Sequence, residues 1–93
     1  MKYSETYYQT YQYLPEELAK QYGTLRFDNH CYLRIALDNT FQAKWDTVLK
    51  RPAYKNLNEA ELQNVLKLLK MYKKDQELLL THNQNSLQWR KKI

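Results

Sequence analysis

The run EAELQNVLKLLKMYKK, residues 59–74, decides the fold of this chain. Its apolar residues recur at steps of three and four: Leu62, Val65, Leu66, Leu69 and Tyr72. This is the period of an amphipathic α-helix that buries one face. Asn58 before the run and Glu61 inside it have the spacing of a capping box, which satisfies the first backbone N–H groups of a helix. The sequence therefore predicts a helix from 59 to 73.

A second helix follows almost at once, over 76–90. Asp75 is a suitable N-cap, and Leu79, Leu87 and Arg90 keep helical spacing. With two or three residues between them, the two helices are expected to form an antiparallel hairpin. The middle of the second helix, THNQNS (81–86), is unusually polar for a helix that packs in a core.

The first half of the chain predicts shorter helices that pack on this hairpin. The first two predicted segments are a helix near 4–13 and the run 14–23, which begins with Pro15 in its first turn and ends at a left-handed Gly23. They are followed by a nearly buried helix within 28–38, capped by Asp28 or Asn29, and by the run 41–50, which Pro52 stops. With one glycine and two prolines among 93 residues, the chain has few of the turn residues that sheets need. We expect an all-α fold, a compact bundle of five or six helices in a single domain over 1–93.

Composition also limits the classes of function. Cys31 is the single cysteine, and no apolar run is long enough for a signal peptide or a membrane span, so we expect a cytoplasmic protein that enters no membrane. One glycine excludes the glycine-rich loops that bind nucleotide phosphates. Two histidines without metal-ligand spacing predict no metal site. We expect no cofactor.

The stretch FDNHCYLRIALDN (27–39) combines groups that suggest chemistry with a helical apolar pattern. His30 and Cys31 are neighbours, which point about 100° apart on a helix, so we expect Cys31 to be buried and inert. Arg34 and Asp38 have the spacing of an ion pair within a helix. Together with polar residues of the last helix they predict a polar seam, which is either structural, the interpretation we favour, or a ligand pocket. The seam residues are His30, Arg34, Asp38, Trp45, Arg51, Asn83, Ser86 and Arg90.

The chain is basic, with fifteen Lys and Arg against ten Asp and Glu, a net charge of +5. A candidate basic patch consists of Lys67, Lys70, Lys73, Lys74, Lys91 and Lys92. Such clusters can contact nucleic-acid phosphates when they share one surface. Acidic residues lie between them in the sequence, so an ordinary solvated helix face is the favoured interpretation.

One resemblance covers most of the chain. The run FDNHCYLRIALDNTFQAKWDT (27–47), with RPAY (51–54) and HNQNSLQWR (82–90), is similar to short bacterial proteins labelled as GNAT-type acetyltransferases. The resemblance implies an acetyltransferase-like or acetyltransferase-associated protein. GNAT enzymes use a larger mixed α/β fold and a glycine-containing loop for the pyrophosphate of acetyl-CoA, and this chain departs from both features. No catalytic residue is therefore carried over.

Three functions follow from these patterns. We expect first a small binding module that captures a protein partner or self-associates, with the seam as its site and Tyr7, Tyr8 and Trp45 as a candidate aromatic patch. The second is a nucleic-acid-binding protein that acts through the basic clusters. The third is an enzyme of the acetyltransferase type, in which His30 or His82 would lie in a pocket beside a reactive group.

Overall fold

The chain forms α-helices joined by short turns in a computed structural model, which describes residues 8–25, 27, 29–51 and 53–91. Four helices have eight or more residues: α1 (Leu14–Gln21), α2 (Asn29–Phe41), α3 (Glu59–Lys74) and α4 (Gln76–Trp89). Shorter pieces are the π-helical segment Gln9–Tyr13, the 3-10 turns Gly23–Leu25 and Trp45–Thr47, and the one-turn helix Ala53–Asn56. The described residues contain no β-strand, so the predicted all-α class is confirmed.

Helix α3 begins at the predicted capping box. Asn58 Oδ1 accepts a hydrogen bond from Glu61 N at 2.7 Å, and Glu61 Oε1 accepts one from Asn58 N at 2.9 Å. The five apolar residues that carried the helical pattern are all buried. Asp75 alone separates α3 from α4 and caps α4, since its Oδ1 accepts from Leu78 N at 3.0 Å. The antiparallel orientation of these two helices stays a prediction.

Helix α2 lies at the centre of the fold and contacts each of the other three helices. Tyr32, Ile35 and Ala36 are fully buried, and they share the core with Leu18 of α1, Leu69 of α3 and Leu79 of α4. The core also reaches the loop before α3 through Leu57. Because α2 is surrounded, its inward polar side chains lose their contact with water, and most of them bond other side chains or backbone groups. The Tyr32 hydroxyl is an exception, since it is buried without a hydrogen-bond partner among the described residues.

The predicted number of helices was too high, because no helix forms over 41–50. After α2 ends at Phe41, Gln42 takes a left-handed backbone conformation with φ of 54°, which interrupts helical geometry. The backbone N–H of Trp45 then donates to the Asp38 carboxylate at 2.9 Å and not to a helical carbonyl. Only the 3-10 turn Trp45–Thr47 remains of the predicted helix.

The beginning of the described chain also differs from the prediction. Residues 1–7 lie outside the described part. From Tyr8 onward the chain is helical, and the π-helical segment continues without a break into α1. The predicted helices near 4–13 and over 14–23 are therefore continuous where they are described. Pro15 lies in the first turn of α1, as predicted. Gly23 was expected to take a left-handed conformation, but its φ is not positive and it begins a 3-10 turn. Of the two residues predicted as alternative caps of α2, Asn29 is the first residue of the helix, and Asp28 lies outside the described residues, as does Pro52.

Two identical substitutions test the assigned core. Leu69→Ala removes a fully buried side chain, and we expect the free energy of unfolding to fall by about 2–5 kcal/mol. Leu80→Ala removes a side chain that is 39% exposed on α4, and we expect a much smaller loss, about 1 kcal/mol or less. Denaturant unfolding of both variants measures the difference. Equal losses would show that the orientation of α3 or α4 is wrong.

Candidate functional site

The Asp38 carboxylate is fully buried and accepts four hydrogen bonds. Oδ2 accepts from Arg90 Nε at 2.6 Å and from Ser86 Oγ at 2.6 Å. Oδ1 accepts from Arg90 Nη2 at 3.0 Å and from the Trp45 backbone N–H at 2.9 Å. A buried carboxylate is tolerated when a paired cation and further donors replace its water, and both conditions are met here.

The predicted ion pair between Arg34 and Asp38 does not form. Arg34 Nη2 donates instead to Asn83 Oδ1 at 2.7 Å, because Asp38 is already occupied by Arg90 from α4. Arg34 Nε is shielded from solvent and has no hydrogen-bond acceptor among the described residues. Within that part of the chain, Arg34 is therefore held by a neutral amide, without a carboxylate to offset its charge.

The polar middle of α4 finds its partners on α2. Asn39 Nδ2 donates to the Ile35 carbonyl at 2.8 Å and to the His82 carbonyl at 2.9 Å, and Asn85 Nδ2 donates to Asn39 Oδ1 at 3.3 Å. With the Arg34–Asn83 and Asp38–Ser86 bonds, these hydrogen bonds form a polar contact surface between α2 and α4. Contacts with α2 thus explain the polarity of Asn83, Asn85 and Ser86, while Thr81 and Gln84 are exposed to solvent.

An open groove of about 360 Å³ lies beside this contact, and we call it the arginine groove. Its described lining residues are His30, Cys31, Leu33, Arg34, Leu37, Trp45, Arg51 and Arg90. The guanidinium carbon of Arg51 lies 5.3 Å from the centre of the Trp45 ring, within range of a cation–π interaction. Arg51 also bonds Asp46 through Nε and Nη2, and these bonds lower the pKa of the Asp46 carboxyl.

The eight predicted seam residues separate into two groups. His30, Arg34, Trp45, Arg51 and Arg90 line the arginine groove. The other three, Asp38, Asn83 and Ser86, are not among its described lining residues. Asn83 bonds Arg34, and Asp38 bonds both Arg90 and Ser86.

Four residues at this site were not among the predicted site residues. Leu33 and Leu37 line the groove, and Asp46 bonds Arg51. Cys31 was expected to be buried, but it is partly exposed and lines the groove next to His30. The sequence spacing contained a signal for the two leucines. Leu37 follows Leu33 by four residues, as Arg34 follows His30, and residues four apart lie one turn apart on the same side of a helix.

The second histidine pairs with a buried tyrosine. Tyr72 Oη lies 2.7 Å from His82 Nδ1, and the two rings meet edge to face with centres 5.5 Å apart. Burial raises the pKa of Tyr72, so its hydroxyl stays protonated and can donate to Nδ1 when the neutral imidazole carries its hydrogen on Nε2. Burial lowers the pKa of His82, which favours the neutral imidazole that can accept this bond. Neither residue lines the arginine groove.

The predicted basic patch is divided. Lys67, Lys70 and Lys74 line a second open groove of about 290 Å³ on α3, together with Gln63, Leu66 and Met71. Lys73 lies elsewhere, with Nζ 3.8 Å from Glu17 Oε1 and 6.0 Å from the Tyr13 ring centre. Lys91 is exposed beyond the end of α4, and Lys92 lies outside the described residues. The two grooves share no described lining residue.

The predicted aromatic patch cannot be followed as a whole. Tyr7 lies outside the described residues. Tyr8 is 52% exposed and stacks on Tyr13 with ring centres 6.4 Å apart. Trp45 is partly buried and lines the arginine groove. Its indole ring therefore belongs to the arginine groove.

Comparison with known proteins gives no family at this point: no protein-family model, curated protein or solved structure matches the chain significantly. Within the described residues, histidine, cysteine and acidic side chains form no group of three that could hold a metal ion. In the same part of the chain, no helix combines the length and apolar character needed to cross a membrane. The site must therefore be interpreted from its own geometry.

Replacing Asp38 tests the assigned network. Asp38→Asn leaves the Arg90 guanidinium without a counter-charge, and we expect the free energy of unfolding to fall by about 3–5 kcal/mol. Asp46→Asn is the matched control, because its partner Arg51 is 70% exposed and water can replace the lost charge; we expect about 1 kcal/mol or less. Urea denaturation of the two variants decides. Similar small losses would show that Asp38 is not the buried member of the network.

The His82 pair predicts how stability depends on pH. The pKa of histidine in the unfolded chain is about 6.5, and burial lowers the pKa of His82 in the folded chain. As pH falls through about 6.5, the unfolded chain binds the proton first, so the free energy of unfolding decreases. The effect should be absent above about pH 7.5 and grow toward about pH 5.5.

The control is His82→Gln, whose side-chain oxygen can still accept a bond from Tyr72 but does not titrate. Denaturant unfolding across this pH range should show a shallower slope for the variant than for the original chain. Identical slopes would mean that His82 is not desolvated in the folded protein.

Proposed function

We propose that this chain is a small binding module that recognises a partner polypeptide at the arginine groove. The observation that carries the proposal is the composition of the groove: three guanidinium groups and an indole ring converge there, and no carboxylate is among its described lining residues. Arginine and tryptophan are enriched among the residues that dominate binding energy at protein interfaces. The groove is open, as expected for a surface that receives part of another chain.

Two of the three arginines are held in place before any partner arrives. Arg90 is fixed by two bonds to the buried Asp38, and Arg51 lies between Asp46 and the Trp45 ring. Long side chains normally lose rotamer freedom when they bind, at a cost of about 0.5–1.5 kcal/mol each. Side chains that are already ordered avoid much of this cost, which supports a role in binding.

The groove favours binding over catalysis. His30 and Cys31, its two potentially reactive groups, occupy consecutive positions of α2 and so point in different directions. The other histidine is engaged by Tyr72 away from the groove. The alternative of an acetyltransferase-like activity thus has no arrangement of described residues in its favour.

Nucleic-acid binding is the second candidate, and one observation favours it. Lys67, Lys70 and Lys74 line one groove on α3, so part of the predicted basic patch does share a surface. Phosphate contacts through three lysines would make affinity fall steeply as salt rises. The clusters do not converge further, since Arg51 and Arg90 line the other groove, and we therefore rank this function below polypeptide binding.

A peptide selection tests the proposal. Peptides are selected from a random display library on the immobilised chain and remeasured against Arg51→Gln, which alters an exposed groove residue. Loss of a hot-spot arginine should weaken selected peptides about tenfold or more. Lys67→Gln, in the other groove, is the matched control and should bind them unchanged.

The single cysteine provides an independent readout. Cys31 lines the groove, so a bound peptide should slow its alkylation by a neutral maleimide. Peptides that bind the two variants equally and leave the alkylation rate unchanged would contradict the proposal, as would a selection that enriches none.

A further inference from the structure

The proposed function leaves open which chemical group the arginine groove recognises. We infer that it binds a carboxylate of the partner polypeptide at Arg34, with an apolar side chain next to that carboxylate packed against Leu33, Leu37 and Trp45. The inference rests on the proposed function and specifies its ligand.

The charges of the groove point to an anion, and to Arg34 as its partner. Arg90 is neutralised by Asp38, and Arg51 is paired with Asp46, which also has Lys44 Nζ at 3.9 Å from its other oxygen. Among the described residues, the polar partner of Arg34 is the neutral Asn83 amide. An anion that enters the groove would therefore meet one guanidinium whose charge no described carboxylate offsets.

The hydrogen bonds of Arg34 are also incomplete. Its Nε is shielded from solvent and has no acceptor among the described residues. A buried donor without a partner is destabilising, and more so when it is charged. Because this Nε is closed to solvent, an entering carboxylate would bond the guanidinium through its Nη hydrogens, and it would supply the missing charge.

The apolar part of the lining defines what lies next to the carboxylate. Leu33 and Leu37 are one helical turn apart on α2, and the Trp45 ring lies on the same groove. These side chains offer no hydrogen bond except the indole N–H, so they favour an apolar neighbour. The groove, at about 360 Å³ and open to solvent, suits a short extended segment, whereas a small free ligand is usually enclosed for most of its surface.

A carboxylate fits the charge balance better than a phosphate group. A phosphate monoester carries about −1.5 to −2 charge near neutral pH, while a carboxylate carries one. Arg34 is the one guanidinium of the described lining without a carboxylate partner. A dianion would have to compete with Asp38 or Asp46 for a second arginine.

The first experiment measures the chemistry with small probes. Hexanoate, hexanamide and hexyl phosphate are titrated into the ¹⁵N-labelled chain while NMR follows the Arg34 Nε–H signal and the backbone signals of Leu33 and Leu37. We expect hexanoate to shift these signals with at least about tenfold higher affinity than hexanamide, since one charge-assisted bond accounts for that ratio. Tighter binding of hexyl phosphate, or equal binding of the acid and the amide, would overturn the inference.

Variants then locate the effect on Arg34. Arg34→Gln should abolish the preference for the acid, and Arg34→Lys should retain part of it, because the charge remains but the two-donor fork is lost. Lys67→Gln, in the other groove, should behave like the original chain. Since the comparison of acid and amide needs no substitution, the test holds even if Arg34→Gln folds poorly.

The second experiment identifies the source of the carboxylate. Peptides from the selection are remade with each Glu changed to Gln, each Asp to Asn, or the C-terminus amidated. Loss of at least about tenfold in affinity on one of these changes supports the inference and shows whether a side chain or the chain terminus supplies the group.

The results separate the inference from the proposed function. Peptides that protect Cys31 but tolerate every one of these changes would overturn the inference and leave the binding function standing. Hexanoate binding at Arg34 without any groove-binding peptide would overturn the function, and with it the polypeptide source of the carboxylate.

Discussion

The buried Asp38 carboxylate is the constraint on which the rest of this structure depends. Its two oxygens connect the last turn of α2 to the end of α4, through Arg90 and Ser86, and to the loop after α2, through the Trp45 backbone. A buried ion pair often adds little net stability compared with apolar residues of the same size. What it does fix is geometry, because any other register of α4 against α2 would leave the carboxylate or the guanidinium buried alone.

The parts of the fold that could be predicted from the sequence are those set by local interactions. In α3 the capping box and the apolar spacing concern residues three or four apart, and the helix forms over 59–74 with every one of those apolar residues buried. The run 41–50 also has helical spacing, but no helix forms there. The Trp45 N–H donates to the Asp38 carboxylate, and the positive φ of Gln42 interrupts helical geometry. The position of Asp38 depends on its long-range pair with Arg90. The local sequence pattern contains no information about that pair.

The candidate site follows the same division. The seam was predictable because polar residues recur at helical positions that would otherwise face the core, and five of its eight residues do line one groove. The partners were not predictable: spacing paired Asp38 with Arg34, whereas the structure pairs it with Arg90, 52 residues away. Cys31 was predicted to be buried because the helical pattern around it is apolar. The arginine groove nevertheless extends along α2 far enough to include it.

A chain of 93 residues has little apolar surface with which to hold a recognition site rigid. Here one ion pair contributes to both the core and the arginine groove. Asp38 and Arg90 join α2 to the end of α4, and the Arg90 guanidinium lines the groove. Arg34 is the exception, because it is anchored to Asn83 and no described carboxylate offsets its charge. That charge, beside Leu33, Leu37 and Trp45, is the feature on which the proposed recognition of a carboxylate rests.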